Sequence, residues 1–160
     1  MPILHLSTLP SSESIIFESS SFFVNHATLP TPDEVRRAAC DPPVRVDPWT
    51  WCVVRFPSLR LIVKYGRQIT MAEGQCLWAV RTLLGNTVPV PELYGWCRDG
   101  ESTFLYMEFI QAPTLKERWS TLSASEREEI GTQFGQIIDN IGQLELEPSV
   151  SEFVGAQNHR

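Results

Sequence analysis

Leu59-Arg60-Leu61-Ile62-Val63-Lys64-Tyr65-Gly66, followed at once by Thr70-Met71-Ala72-Glu73, is the stretch on which the fold class turns. The first piece alternates. Alternation puts Leu59, Leu61 and Val63 on one face of a strand and Arg60, Ile62 and Lys64 on the other. Gly66 closes that strand. The second piece opens a helix that runs from Thr70 to about Leu84, with Leu77, Val80, Leu83 and Leu84 at helical spacing and Gly85-Asn86 as its stop. A strand that turns directly into a helix, within a chain of mixed patterns, predicts an α+β domain.

The flanking segments extend the pattern on both sides. Upstream, Val53, Val54 and Phe56 form another strand, broken from the first by Pro57-Ser58. Before it, Thr31-Pro32-Asp33-Glu34 reads as a capping box with Pro at the first helical position, and Asp41-Pro42-Pro43 stops that helix near Cys40. Downstream, Val88-Pro89-Val90-Pro91 is a stiff connector, and Leu93–Cys97 and Thr103–Ile110 form a hairpin around Asp99-Gly100. Pro113 ends the return strand. Thr114 caps a short helix through Trp119, and Ser123-Ala124-Ser125-Glu126 is a second capping box. The helix behind it reaches about Leu144 and carries Ile130, Phe134, Ile137, Ile138, Ile141 and Leu144. Gly131, Gly135 and Gly142 weaken it or mark close packing. The Ser-rich residues 1–30 form an arm without defined structure, in which 14–17 and 21–24 are short strands or loose packing. Residues 145–160 look irregular.

The chain has 160 residues, 42% of them hydrophobic and 20% charged, which suits one globular domain. A net charge of −6 disfavours nucleic acid and anionic membrane surfaces as partners. Cys40, Cys52, Cys76 and Cys97 form no C-x-x-C pair and have no clustered histidine, so a zinc site is not expected and reduced, buried thiols are. The first residues lack the charge and apolar core of a signal peptide, and no apolar run approaches the roughly 20 residues of a membrane span. These absences point to a cytoplasmic location. No Gly-x-Ser-x-Gly, His-Glu-x-x-His or Walker Gly-Lys-Ser/Thr motif occurs.

Val63-Lys64-Tyr65-Gly66, Glu73, Val88-Pro89-Val90-Pro91, Tyr106-Met107-Glu108-Phe109, Thr114-Leu115, Trp119 and Phe153-Val154-Gly155, in that order and spacing, resemble the aminoglycoside phosphotransferase-like family, in particular its fungal branch. The resemblance runs from about Leu29 to Arg160. It implies a kinase-like N-lobe, a small antiparallel sheet with a flanking helix, followed by two helices that begin a C-lobe. The implied divisions are an arm over 1–30, an N-lobe with hinge over 31–113, and the start of a helical lobe over 114–160.

The resemblance also implies an ATP site. Phosphoryl transfer rests on positioning and charge stabilisation, so a strand lysine on the α- and β-phosphates and a helix glutamate that holds it are informative residue types. Lys64 and Glu73 take those places. The plainer reading of Lys64 is a solvent-facing strand lysine, and Glu73 can equally be the far end of a Thr70 capping box. Met107 would be the gatekeeper beside the adenine, with the backbone of Glu108 and Ile110 on the adenine edge and Ile62 packed on its face. All four can also be plain core or loop. Magnesium would arrive only with ATP.

Two departures qualify the resemblance. No glycine precedes Gly66, so the Gly-x-Gly-x-x-Gly loop is absent and 46–52, with Trp49 and Trp51, would cover the phosphates. His5, His26 and His159 are not followed by Asp two residues on, and no Asp-Phe-Gly occurs. The family's catalytic His-x-Asp loop and metal-binding Asp are thus missing, and a truncated member, inactive alone, is expected. The helix over 124–144 would then fold back on the sheet, pair with another chain or stay exposed. Self-association or a protein partner through that helix is the alternative, a non-catalytic, pseudokinase-like interaction protein.

Overall fold

The computed structural model describes residues 2–39 and 51–147, and in it the alternating stretch becomes the centre of a five-stranded antiparallel sheet. The elements, in chain order, are β1 (Ile3–Leu4), β2 (Ile15–Ile16), α1 (Pro32–Ala39), β3 (Cys52–Phe56), β4 (Leu61–Gly66), α2 (Met71–Leu84), β5 (Leu93–Asp99), β6 (Ser102–Glu108), α3 (Leu115–Arg118), α4 (Ala124–Gly142) and β7 (Glu145–Leu146). The sheet order is β2-β5-β6-β4-β3, and β1 pairs with β7 in parallel in a separate two-stranded sheet. The fold class is α+β, as the mixed patterns predict.

Alternation divides the core between the two faces of the sheet. Leu61 and Val63 of β4 are fully buried with Phe104 and Tyr106 of β6, under Val35 of α1 and Phe22 of the arm. The opposite face carries Leu105, Trp96, Leu93 and Ile69, covered by Met71, Leu77 and Trp78 of α2. Helix α2 approaches through its small residues, Gly74 and Ala79. A Cβ at Gly74 would lie 2.7 Å from the Trp96 ring, so glycine permits the close crossing.

The strand begins two residues later than the pattern suggests. Leu59 belongs to a 3-10 turn over Pro57–Leu59, and Arg60 takes a left-handed conformation at φ 49° before β4 starts at Leu61. The return strand β6 ends at Glu108, so Ile110 lies beyond the sheet and is exposed. The stop of α1 expected at Asp41-Pro42-Pro43 lies outside the described residues.

Residues 2–30 are built into the fold. Ile15 and Ile16 pair with Trp96 and Gly95 of β5, and Phe22 is buried against Tyr94. A side chain at position 95 would collide with the Ile15 carbonyl at 2.5 Å, so Gly95 lets the edge strand close. Glu92 ties the arm down by accepting from the Ser21 N–H at 3.2 Å and from the Ser21 hydroxyl. Glu145–Leu146, expected to be irregular, pairs with Ile3–Leu4. These contacts join segments far apart in the chain, which local patterns do not reveal. Cysteines 52, 76 and 97 are free thiols, and Cys76 is exposed on α2 rather than buried.

Three helices start with reciprocal caps. Glu34, Glu117 and Glu126 accept from the backbone N–H of Thr31, Thr114 and Ser123 at 2.8, 2.6 and 2.7 Å. Those bonds hold each carboxyl below its ordinary value of 4.5. A depressed folded pKa gives stability that is present above the ordinary value and lost as pH falls through the folded one. The far-ultraviolet helical signal should therefore decline as pH is lowered from 5 to 3. Glu126→Gln, which can still cap, should remove its share of that decline; an unchanged acid titration in that variant would count against the cap as its source.

Candidate nucleotide site

The site is built by register. Val53 of β3, Lys64 of β4 and Leu105 of β6 are directly opposite one another, and so are Arg55, Ile62 and Met107. Residues opposite across antiparallel strands share a face. Those rows therefore form one surface, on the side of the sheet where α2 packs.

Lys64 Nζ reaches Glu73 Oε1 at 2.6 Å, with the two side chains 24% and 37% exposed. Glu73 lies in the first turn of α2, and the Gly74 crossing brings that turn close to the sheet. The Thr70 side chain makes no cap bond to the helix. Of the two readings of Glu73, the ion pair is the one observed and the capping box is not. The physical reason is competition: a lysine ammonium within reach binds a carboxylate more strongly than a neutral backbone N–H does. The Lys64 ammonium also stands 5.0 Å from the centre of the Trp51 ring, a cation–π arrangement.

In front of this pair is an open cleft of about 490 Å3. Ile62, Lys64, Met107, Glu108 and Ile110 all line it, together with Trp51, Val53, Arg55 and Pro91. Five of the six site residues read from the sequence thus meet in one cavity, and the sixth, Glu73, holds Lys64 in place from behind. Its size suits a drug-sized or nucleotide-sized ligand. Of the covering stretch 46–52, Trp51 and Cys52 are described and the rest lies outside the described residues.

The hinge backbone offers bonding groups. Phe109 N–H donates to the Arg60 carbonyl at 2.9 Å, which makes Leu61 and Glu108 a non-hydrogen-bonded pair. The Glu108 backbone therefore turns away from β4. Its N–H donates to the Glu92 carbonyl at 2.8 Å. Its side chain accepts from the Glu92 N–H at 3.3 Å and lies 3.9 Å from the Arg60 guanidinium. The Ile110 N–H has no partner among the described residues, so it is free to bond a ligand edge.

The cleft provides positive charge and an apolar slot, and no acid–base pair among the described residues. Glu117 is committed to its cap and Glu108 to Glu92. Among the described residues no group of three or more His, Cys, Asp or Glu could hold a metal ion. Arg55 and Val53 are additions that the sequence pattern did not single out as site residues. Their alternation in β3 was readable, but their alignment with Lys64 depends on register, which a single strand does not carry. No helix among the described residues is long and apolar enough to cross a membrane. Comparison with family models, curated proteins and solved structures returns no match.

Proposed function

We propose that this chain is the nucleotide-binding part of a kinase-like phosphotransferase, resembling the aminoglycoside phosphotransferase-like family, and that it binds ATP without transferring phosphate by itself. The observation that carries the reading is the Lys64–Glu73 bridge at the back of an apolar cleft. In a kinase-like site this pair would place the ammonium on the α- and β-phosphates. The adenine would lie between Ile62 and Met107, with its edge on the Glu108 carbonyl and the Ile110 N–H. The strand order β5-β6-β4-β3 with α2 on the cleft side supports an N-lobe reading. Magnesium would enter only with the phosphates, because the described residues provide no carboxylate cluster for it. Transfer is not expected, because the His-x-Asp and metal-binding Asp motifs have no counterpart in these residues.

Calorimetric titration of the purified chain with ATP, with and without magnesium, tests this. Saturable binding of a single nucleotide without ADP formation is expected. A folded chain that shows no binding would remove the reading, and ADP formation would remove its second half.

One observation favours a second reading, a non-catalytic interaction protein. Phe134, Ile138 and Ile141 form a stripe on α4 and are 51%, 65% and 44% exposed. Gly131, Gly135 and Gly142 would meet nothing if given a Cβ, so no described element packs there. This reading expects concentration-dependent association in light scattering, abolished by Ile138→Lys. A monomer at all concentrations with no partner requirement argues against it.

A further inference from the structure

On the sheet face opposite the nucleotide cleft, the arm arches over the hairpin and leaves a second cavity of about 520 Å3. Ile16, Phe23 and Leu29 line it on the arm side, and Cys97 and Tyr106 of the hairpin line it on the sheet side. We propose that this cavity binds a small, neutral, largely apolar molecule that presents one hydrogen-bond acceptor to the Tyr106 hydroxyl.

Tyr106 has hydrogen-bonding capacity to spare. The residue is 3% exposed, yet its hydroxyl has one partner among the described residues, the Cys97 sulfur at 3.9 Å. A thiol is a weak partner, and that distance is at the far limit of a sulfur contact. Buried hydroxyls elsewhere in proteins are almost always better satisfied. Tyr106 lines the cavity, so an occupant can supply a stronger acceptor than the thiol.

Charge selects the class of occupant. No lysine or arginine lines the cavity; apart from Cys97 and Tyr106, its ionisable wall residues are Glu18 and His26, so there is no fixed positive charge to hold an anion. Burial pushes both the Cys97 thiol and the Tyr106 phenol upward, which keeps them neutral and able to donate. A cation would find one carboxylate at the wall, with the neutral hydroxyls of Ser14, Thr28 and Thr31 and a mostly apolar remainder, which does not offset the loss of its hydration. A neutral ketone, ester or ether with an aromatic or aliphatic body meets every condition, and the volume lies within the range of small-molecule sites. The wall contains β2 and residues 26–32, so an occupant would also bridge the arm to the sheet.

The two cavities lie on opposite faces of the sheet, so occupancy of this one is independent of the nucleotide cleft. The test is a fluorescence titration of the full chain with 6-acetyl-2-dimethylaminonaphthalene, a neutral ketone whose emission shifts blue in apolar surroundings. Saturable blue-shifted emission is expected, unchanged by excess ATP. Tyr106→Phe should weaken the ketone by about tenfold, the loss of one buried hydrogen bond. The same variant should leave the parent 2-dimethylaminonaphthalene, which lacks the carbonyl, bound as before. Ala27→Trp, which fills the mouth from an exposed position, should block both dyes. Binding removed by Ile138→Lys would place the dye on α4, and displacement by ATP would place it in the nucleotide cleft. Either result, or no saturable binding at all, overturns the proposal.

Discussion

Lys64→Ala should weaken ATP binding by about 30-fold or more, the loss of roughly 2 kcal/mol from a charge-assisted contact to phosphate. The change should leave the fold nearly intact. The Lys64–Glu73 pair is partly exposed, so its own contribution to stability is at most about 1 kcal/mol. The alanine variant should therefore unfold in urea close to the parent chain while its calorimetric isotherm flattens. Glu73→Gln provides the finer discrimination. It keeps the size of the side chain and removes the charge that orients the ammonium, so affinity should fall less than in Lys64→Ala, by about tenfold or below. In the double variant Glu73→Gln should add little, since an orienting group has no effect once its target is gone. Additive losses would mean that Glu73 meets the ligand directly. Glu73→Ala also checks the capping question. Because the Thr70 side chain does not cap α2, helix content should not change.

The same four-residue pattern, Thr or Ser with Glu three positions on, stands at four helix starts, 31–34, 114–117, 123–126 and 70–73. Three of these became capping boxes and the fourth did not. Lys64 separates the fourth from the others, nine residues away on a strand that faces the helix start. No local rule contains that information. The strand β4, the Asp99-Gly100 hairpin and the long α4 were legible because each rests on alternation, a turn pair or a cap within a short window. The arm was legible only in part: a short strand within 14–17 was one of two readings and Ile15–Ile16 is one, but 21–24 is a 3-10 turn. Ile15 pairs with Trp96, and Phe22 packs on Tyr94, across sequence separations that short Ser-rich pieces do not announce. The site was intermediate. Ile62 shares the face of Lys64 by alternation, whereas Met107 comes from the family resemblance, and it and Arg55 line up with Ile62 only through the register of β6 and β3 on β4. The apolar stripe of α4 was visible as periodicity, and Phe134, Ile138 and Ile141 on it are exposed among the described residues.

Trp96→Ala should be the most damaging single change in the described residues, at about 3–5 kcal/mol. Against a typical total of about 5–15 kcal/mol, that places the variant near the edge of folding. The cost has two sources, because Trp96 joins two layers. Its ring lies under Gly74 of α2 among Leu105, Ile69 and Leu93, and it is 1% exposed. Its indole N–H donates to the Ser12 carbonyl at 2.9 Å, and Phe17 packs edge-on at 5.7 Å between ring centres. Removing it should loosen α2 and the arm together, so limited proteolysis within residues 5–14 should speed up alongside the fall in urea midpoint. Trp96→Phe distinguishes the two sources. It keeps an aromatic ring under α2 and deletes the indole N–H, so it should cost less and act mainly on the arm. It also removes the ring atoms, Cε3 and Cζ3, that a side chain at position 74 would strike at 2.7 and 3.1 Å. Gly74→Ala alone should therefore cost about 1–3 kcal/mol through overpacking, and less than that in the Trp96→Phe background. Such a coupling, measured by urea unfolding of the four chains, would locate the helix–sheet crossing that carries Glu73 to Lys64. If the two changes instead added independently, the crossing would not depend on the fit of Gly74 against the indole.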